Sequence, residues 1–381
     1  MDPAKGTKVN NKTSDSGRRS GTSNSVDSSK TILAIVFIAA IFIMLPQIFA
    51  SGGDFSRGFS GGGSGTLSEP ESGQVGVIAI SFNGGNSFEE SKLHEIAIPN
   101  VFTIKKISSL YFAGTDRGLL VSKDSGLNWY PFSDLENQID SGTAIYDFAA
   151  GPENAIYVSA FKNDHGVIYV TRDNFFTATP IWTEGKMPVR AIASDQNFLY
   201  MGLDDGRLLR YSFFAGTFKK IYAFKYGIRS LVFVESDSGG PRHLFAGLEN
   251  GRVFSDSGTR ANFAEVSPPK RSAVASRDGL RIVNDVQSGR TLYLASLSGI
   301  FRSVDQGSDW RELNSILPEK AKISALAVQN GKIFATVDSK LYKSSDGGAT
   351  WSVVEPLPTT RKLGALFVGN GGNLVVVGTS N

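Results

Sequence analysis

The chain has 381 residues, with 39 basic and 36 acidic side chains, a net charge of +3 and no cysteine. The absence of cysteine excludes disulfides and thiolate metal sites. Nucleic-acid binding requires a clear surplus of basic side chains, and a charge balance this even predicts no nucleic-acid partner.

Residues 1–30 are rich in serine, threonine, asparagine and lysine and contain almost no large apolar side chain. A segment of this kind cannot bury enough apolar surface to offset the entropy lost on ordering. The sequence therefore predicts a disordered tail for residues 1–30.

Residues 31–50 form an apolar run without charge. About 20 such residues span the hydrocarbon core of a bilayer, so the run predicts a transmembrane helix. Six lysines and arginines precede it, whereas Arg57 is the only basic residue in the 20 positions after it. The positive-inside rule then places the N-terminus in the cytoplasm and the rest of the chain outside.

A cleaved signal peptide is the alternative interpretation of this run, because Ile48, Phe49 and Ala50 resemble a cleavage site. Cleavage near Ala50 would release a secreted protein. The 30-residue charged lead is long for a signal peptide and favours an uncleaved signal-anchor. Both interpretations predict export.

Residues 51–74 contain the run Ser60-Gly-Gly-Gly-Ser-Gly65 and predict a flexible linker. By random-coil scaling its mean span is about 27 Å, enough to clear a lipid headgroup layer. The remaining residues, 75–381, are predicted to form one domain.

A short sequence motif, which we call the phrase, recurs within this domain. Its three best copies are Ser122–Trp129, Ser303–Trp310 and Ser344–Trp351, each after an apolar strand. Asp305 and Asp346 lie 41 residues apart. A repeat of about 40–45 residues is typical of a propeller blade, so the phrase predicts an all-β propeller.

Weaker copies fill the gaps between the three good ones. The central positions are Asn83, Asp124, Asp173, Phe214, Asp256, Asp305 and Asp346, separated by 41, 49, 41, 42, 49 and 41 residues. Seven phrases in register predict seven blades. Residues 365–379 supply two strands at the end of the chain, and residues 75–81 with the phrase that follows supply a third and a fourth strand with no partners before them. The two ends are therefore predicted to share one blade, which would close the ring.

The phrase resembles the Asp-box, S/T-x-D-x-G-x-T-W/F, of the BNR-repeat propellers, a superfamily that includes sialidases, the sortilin-type receptor domain and the photosystem II assembly factor propeller. The resemblance implies that the acids hold their own hairpins together and that the aromatic residues pack between blades. The implied acids and their asparagine equivalent are Asn83, Asp124, Asp173, Asp256, Asp305 and Asp346; the aromatics are Trp129, Trp310 and Trp351.

The resemblance to sialidases raises the question of catalysis. The Arg-Ile-Pro motif of sialidases is missing, and its nearest match, Arg281-Ile282-Val283, lacks the proline. No pair of acids stands out as the two carboxylates of a glycosidase. The three histidines have no metal-ligand spacing. The sequence predicts no enzyme, no cofactor and no metal, with a carbohydrate-binding or sialidase-like glycoside hydrolase propeller as the alternative.

Three arginines occupy the same place in successive repeats, the start of the innermost strand: Arg190, Arg229 and Arg281. Nearby turns predicted on the same face carry Arg117, Arg207 and Arg252. The planar guanidinium suits carboxylate or phosphate recognition. We therefore predict a binding sector here, and the alternative is that these arginines pair with neighbouring acids and only close the rim.

Together these features predict a monomeric, single-pass cell-membrane protein. Its propeller would face outward and bind a protein or an assembly intermediate.

Overall fold

The computed structural model describes residues 78–94, 99–173, 175–236, 242–256, 262–268, 281–284, 290–296, 299–313, 323–337, 339–359, 361–369 and 372–380. The predicted tail, transmembrane helix and linker, residues 1–74, lie outside these residues. Within the described part of the chain, no helix is long and apolar enough to cross a membrane.

The described regular structure consists of short β-strands, mostly rich in β-branched and aromatic residues. The first three are β1 (Ile78–Ser81), β2 (Glu89–Glu90) and β3 (Lys92–Leu93). Blade 1 contains β4 (Val101–Ile107), β5 (Leu110–Thr115), β6 (Gly118–Ser122) and β7 (Asn128–Phe132). Blade 2 contains β8 (Ala144–Ala150), β9 (Ile156–Lys162), β10 (His165–Thr171) and β11 (Thr179–Gly185). Blade 3 contains β12 (Val189–Ser194), β13 (Phe198–Leu203), β14 (Arg207–Ser212) and β15 (Phe218–Ala223).

Blade 4 contains β16 (Ile228–Val234), β17 (His243–Leu248), β18 (Val253–Asp256) and β19 (Phe263–Glu265). Blade 5 contains β20 (Arg281–Asn284), β21 (Leu292–Ser296), β22 (Gly299–Ser303) and β23 (Arg311–Glu312). Blade 6 contains β24 (Ile323–Gln329), β25 (Lys332–Val337), β26 (Lys340–Ser344) and β27 (Ser352–Val354). The last two strands are β28 (Lys362–Gly369) and β29 (Leu374–Ser380).

These strands form seven sheets, and the fold is a seven-bladed β-propeller. Blades 1 to 6 follow chain order from the innermost to the outermost strand, and each strand pairs antiparallel with the next within its blade. The innermost strands contact one another in a closed circle, in which β28 meets both β24 and β4. The prediction of an all-β, seven-bladed ring is confirmed.

Blade 7 combines both ends of the described chain. Its strand order is β2-β1-β29-β28, so the C-terminal strands are the two inner ones. Ile78 to Ser81 pair with Gly378 to Val375 along the whole of β1. The prediction that the two ends share one blade is therefore confirmed, and this sheet closes the ring.

A second connection between blades 1 and 7, formed by strand pairing, was not predicted. After leaving blade 7, the chain adds β3 in parallel to the outer edge of β7, with Leu93 opposite Trp129. The Ser91 hydroxyl donates to the Gly126 carbonyl at 2.6 Å, and the His94 ring stacks on Tyr130 at 4.5 Å. Blade 1 thereby becomes a five-stranded sheet whose outer edge is covered.

The hydrophobic core lies in the seams between blades. The seam between blades 1 and 2, for example, joins Phe112 and Leu119 to Ile145 and Val158. Because each sheet buries both faces against its neighbours, the second and third strands are almost continuously apolar. The packed seams hold the loops at both ends of the ring in fixed positions.

Candidate functional site

Strand pairing divides the loops between two faces of the ring. The innermost strands begin on one face, which also carries the turns between second and third strands; we call it the top face. The repeated phrases lie on the opposite face, between third and outermost strands; we call it the box face. In blade 3, Val189 pairs with Leu203 and Arg207 with Ala223, which places all four residues on the top face.

The second or third residue of the innermost strand is bulged in six blades. The pairing register skips this residue because of the bulge, and a bulge re-aims the side chain that it carries. The bulged residues are Phe102, Tyr146, Arg190, Arg229, Ser324 and Gly364. One side of the ring therefore presents aromatic and guanidinium groups at this level, and the other side presents small residues.

The four large bulged side chains form a connected row. The Phe102 and Tyr146 rings are 5.3 Å apart, and the Arg190 guanidinium lies over the Tyr146 ring at 4.2 Å. Burial raises the pKa of Tyr146, so its hydroxyl stays protonated and available as a donor at neutral pH. The row offers an aromatic surface beside a cation.

Acids connect the two bulged arginines. Asp204 accepts from Arg190 Nε at 3.4 Å through Oδ2 and from Arg229 Nη1 through Oδ1. Arg229 Nη2 also donates to Glu249 at 2.8 Å. The Arg229 side chain is 10% exposed and that of Arg190 is 35% exposed. Arg190 and Arg229 thus pair with acids, as the alternative interpretation predicted. The Arg190 side chain is the more exposed of the two.

The other predicted arginines have separate surroundings. Arg207 makes a two-pronged contact with Glu184, at 2.6 and 3.1 Å, and Arg252 donates to Glu265 at 3.3 Å. Arg117 lies exposed in the turn after β5. Arg281 begins β20, and its side chain lies outside the described residues.

Phe102 and Tyr146 were not among the predicted binding residues, which were all arginines. Their position in the strand could have identified them, because Phe102 is the second residue of β4 and Tyr146 is the third residue of β8, close to the strand start as in the blades that carry the arginines.

On the box face, five turns share one hydrogen-bond pattern. In blade 6 the Ser344 hydroxyl donates to Asp346 at 2.8 Å and accepts the Gly348 N–H at 2.8 Å, while Asp346 accepts the Thr350 N–H at 2.9 Å. The turns centred on Asn83, Asp124, Asp173 and Asp305 repeat this pattern. The two weaker copies among them therefore fold the turn in the same way as the three good ones.

Asp256 behaves differently. It is buried in β18, and its carboxylate accepts the Leu244 N–H of the neighbouring strand at 2.9 Å. At the blade 3 position Phe214 replaces the acid and is fully exposed.

The tryptophans of the three good copies lie in the seams. Trp310 Nε1 donates to the Val266 carbonyl at 2.6 Å and Trp351 Nε1 donates to the Leu313 carbonyl at 2.8 Å, each in the preceding blade. Trp129 is fully buried against Ile78 and Ile80 of blade 7.

Blade 2 fills its seam in another way. Phe175 occupies the position of the turn glycine, with a φ of 71°, and its fully buried ring lies 4.8 Å from that of Phe112. A bulky residue at positive φ is strained. The ring occupies the seam between blades 1 and 2, which compensates for the missing tryptophan of this phrase.

The box carboxylates predict a pH dependence of stability. The Thr350 hydroxyl and N–H and the Ser344 hydroxyl stabilise the ionised form and lower the pKa of Asp346 to about 2. The pKa values of Asp124, Asp173 and Asp305 are lowered as well. A carboxylate whose folded pKa lies below its unfolded value, about 3.9, contributes stability that is present above pH 4 and is lost as the pH falls towards 2. We expect Asp346→Asn to flatten the fall of the unfolding free energy between pH 4 and 2, measured by denaturant titration.

Asn83 supplies the matched control, because it makes the same turn without a charge. Asn83→Asp should steepen the acid-induced loss of stability, whereas an unchanged profile in both variants would contradict this role of the box carboxylates.

Among the residues that the structure describes, no group of three or more histidines, cysteines or acids could hold a metal ion.

Comparison with known proteins supports the fold. Residues 259–381 match the family described as the DUF6242 beta propeller domain. No curated protein matches the sequence.

Several solved propellers are similar in structure. The Niastella koreensis GH74 enzyme is 16% identical with a TM-score of 0.57, over 74% of this chain and 51% of that one. The extracellular domain of BT4673 from B. thetaiotaomicron is 15% identical with a TM-score of 0.58, over 75% and 38%. YCF48 from Cyanidioschyzon merolae is 12% identical with a TM-score of 0.54, over 74% and 95%.

At these identities the likeness concerns the fold alone. The chain spans about half of the GH74 enzyme and 38% of the BT4673 domain.

Proposed function

We propose that this chain is a single-pass membrane protein that displays its propeller outside the cytoplasm as a protein-binding scaffold, and that it acts by binding and not by catalysis. The observation that carries the proposal is the row on the top face formed by Phe102, Tyr146, Arg190 and Arg229. Aromatic residues and arginine are the side chains that most often anchor protein interfaces.

The placement of the row supports recognition of a protein segment. Packed seams and the shared blade fix the bulged residues, so little side-chain entropy is lost when a partner docks. Asp204 and Glu249 hold the guanidinium groups in place and present acceptors of their own. On the far side of the ring, Ser324 and Gly364 leave the same level open.

Two similar propellers are consistent with this role. One YCF48 structure contains a bound D1 peptide, at 15% identity and a TM-score of 0.55 to this chain. The BT4673 propeller is an extracellular domain. Export of this chain is inferred from the apolar run at residues 31–50 and the basic residues before it.

The test uses the absence of cysteine in the natural chain. We expect Lys225→Cys, exposed on the top face, and Lys219→Cys, exposed on β15 near the box face, to react with a membrane-impermeant maleimide in intact cells. A thiol-linked photo-crosslinker at position 225 should then give one discrete adduct with a protein.

That adduct should decrease in Arg190→Gln and with added salt, because exposed charges are screened over about 8–10 Å. The cost of Arg190→Gln in stability should stay near or below about 1 kcal/mol, the usual worth of a partly exposed ion pair. Arg229 is spared in this test because its side chain is largely buried between two acids.

Labelling that requires permeabilised cells would contradict the topology, and an equal adduct pattern at positions 219 and 225 would contradict the top-face site. Turnover of fluorogenic sialoside or glucan substrates by the purified chain would contradict a purely binding role and would indicate a glycoside hydrolase.

A further inference from the structure

Two blades place a cation where others bury an apolar side chain. The position is the residue before the serine or threonine of the box turn, which points into the seam with the next blade. Ile80, Val121 and Val170 occupy it in blades 7, 1 and 2 and are all buried. The corresponding residues of blades 5 and 6 are Arg302 and Lys343, at the ends of β22 and β26.

Arg302 has no acid partner among the described residues. Its Nε is buried without a hydrogen bond, and its guanidinium lies 6.0 Å from the centre of the Tyr293 ring. Directly opposite on the neighbouring strand is a second cation, Arg311. Like charges in such a cross-strand pair destabilise a sheet, and a buried donor without an acceptor is also unfavourable. An anion bound from outside the chain would offset the repulsion between the two guanidinium groups.

The cations extend along the box face from blade 5 to blade 7. Arg302 Nη1 lies 3.8 Å from the point where a Cβ would stand on Gly347, in the turn of blade 6. Lys343 Nζ donates to Asn86 Oδ1, in the turn of blade 7, at 2.9 Å. Lys332 begins β25, which pairs with β26 so that Phe334 lies opposite Lys343. Burial and the charge of Lys332 lower the pKa of Lys343.

The nearest box acids are already occupied. Asp305 accepts from the Ser303 hydroxyl and the Asp309 N–H, and Asp346 accepts from Ser344 and Thr350. Turning either carboxylate towards Arg302 would break its own turn. The cation cluster, Arg302, Arg311, Lys332 and Lys343, is therefore available to a ligand.

Exposed apolar side chains flank the cluster. Val304 is 60% exposed at the tip of the blade 5 turn, and Phe82 is 49% exposed at the tip of the blade 7 turn. Cations between two apolar tips complement a chain segment in which acidic and apolar side chains alternate.

We propose that the cation cluster binds an acidic, extended segment of a protein partner. Arg302 takes one carboxylate through its planar fork, Lys332 and Lys343 attract further acids, and Val304 and Phe82 contact the apolar residues between them. This inference rests on the proposed protein-binding function and adds a second contact, on the face opposite the Arg190 row.

The test uses the full chain in detergent and a short fluorescent peptide of alternating glutamate and leucine. The same peptide with glutamine in place of glutamate is the uncharged comparison. We expect fluorescence anisotropy to show binding of the glutamate peptide alone. Arg302→Gln should weaken it roughly tenfold, the size expected for a charge-assisted hydrogen bond, and Arg302→Lys should give a smaller loss.

Lys219→Gln is the matched control, because it removes one exposed positive charge near the same face in blade 3. It should leave the affinity unchanged, and thermal unfolding should show that Arg302→Gln is folded. Lys343→Gln should also weaken binding and serves as the second variant if Arg302→Gln is unstable.

Equal binding of the glutamine peptide, equal losses in Lys219→Gln and Arg302→Gln, or no binding to the natural chain would each overturn this inference. Inorganic phosphate that binds while the glutamate peptide does not would overturn it too. None of these results alters adduct formation at position 225, so the proposed function is tested separately.

Discussion

Removal of residues 374–381 is expected to abolish cooperative folding of the propeller. These residues include β29, the second strand of blade 7, which pairs with β28 on one side and β1 on the other. Leu374 and Val375 to Val377 are buried in this strand. Burying each such side chain contributes roughly 1.5–3 kcal/mol, so their loss together approaches the whole stability of a typical domain, about 5–15 kcal/mol.

The truncated chain should be insoluble or should lose its sharp thermal transition by calorimetry and circular dichroism. Deletion of Asn381 alone, beyond the end of β29, is the control and should melt like the full chain. If residues 1–373 unfold as sharply as the intact protein, the ring does not depend on the shared blade.

The blades were predictable from sequence because most of them repeat the same turn between the third and the outermost strand. The box turn needs a hydroxyl, an acid or amide two residues later and a tight turn after it, and these requirements leave a phrase at fixed spacing. Asn83 and Asp173 show that the spacing identifies a turn even where the residues drift. The shared blade followed from counting strands at the two ends of the chain.

Features that depend on neighbours from several blades were not predictable. Lys92 and Leu93 form a strand of two residues, too short to leave a periodic pattern, and only the proximity of β7 makes them pair. The pairing of Arg190 with Asp204 joins the first strand of a blade to one of its own turns, and Arg229 joins the same acid from the next blade. Sequence position shows that these residues share a face but does not show which of them touch.

Phe175 shows how a repeat that lacks the consensus residues can still fill its seam. The phrase of blade 2 lacks the glycine and the early tryptophan of the good copies, and its strained residue supplies the missing seam contact. The ring of Phe175 lies 6.2 Å from Phe132 and 6.3 Å from Phe148 as well as close to Phe112.

Removing a buried phenylalanine ring costs about 3–5 kcal/mol because a cavity remains. We therefore expect Phe175→Ala to lower the unfolding free energy by about that amount, measured by denaturant titration of the full chain.

The glycine variant separates the two properties of this position. Phe175→Gly also loses the ring, but glycine tolerates positive φ, whereas alanine in the left-handed region is disfavoured by roughly 1–2 kcal/mol. Phe175→Gly should therefore be the more stable of the two variants, although glycine at an ordinary position would be the less stable.

Phe176→Ala is the control, since Phe176 is adjacent and 41% exposed, and it should change stability by no more than about 0.5 kcal/mol. Equal effects at positions 175 and 176 would mean that the seam does not depend on this ring. A glycine variant less stable than the alanine variant would mean that the backbone at position 175 is not held at positive φ.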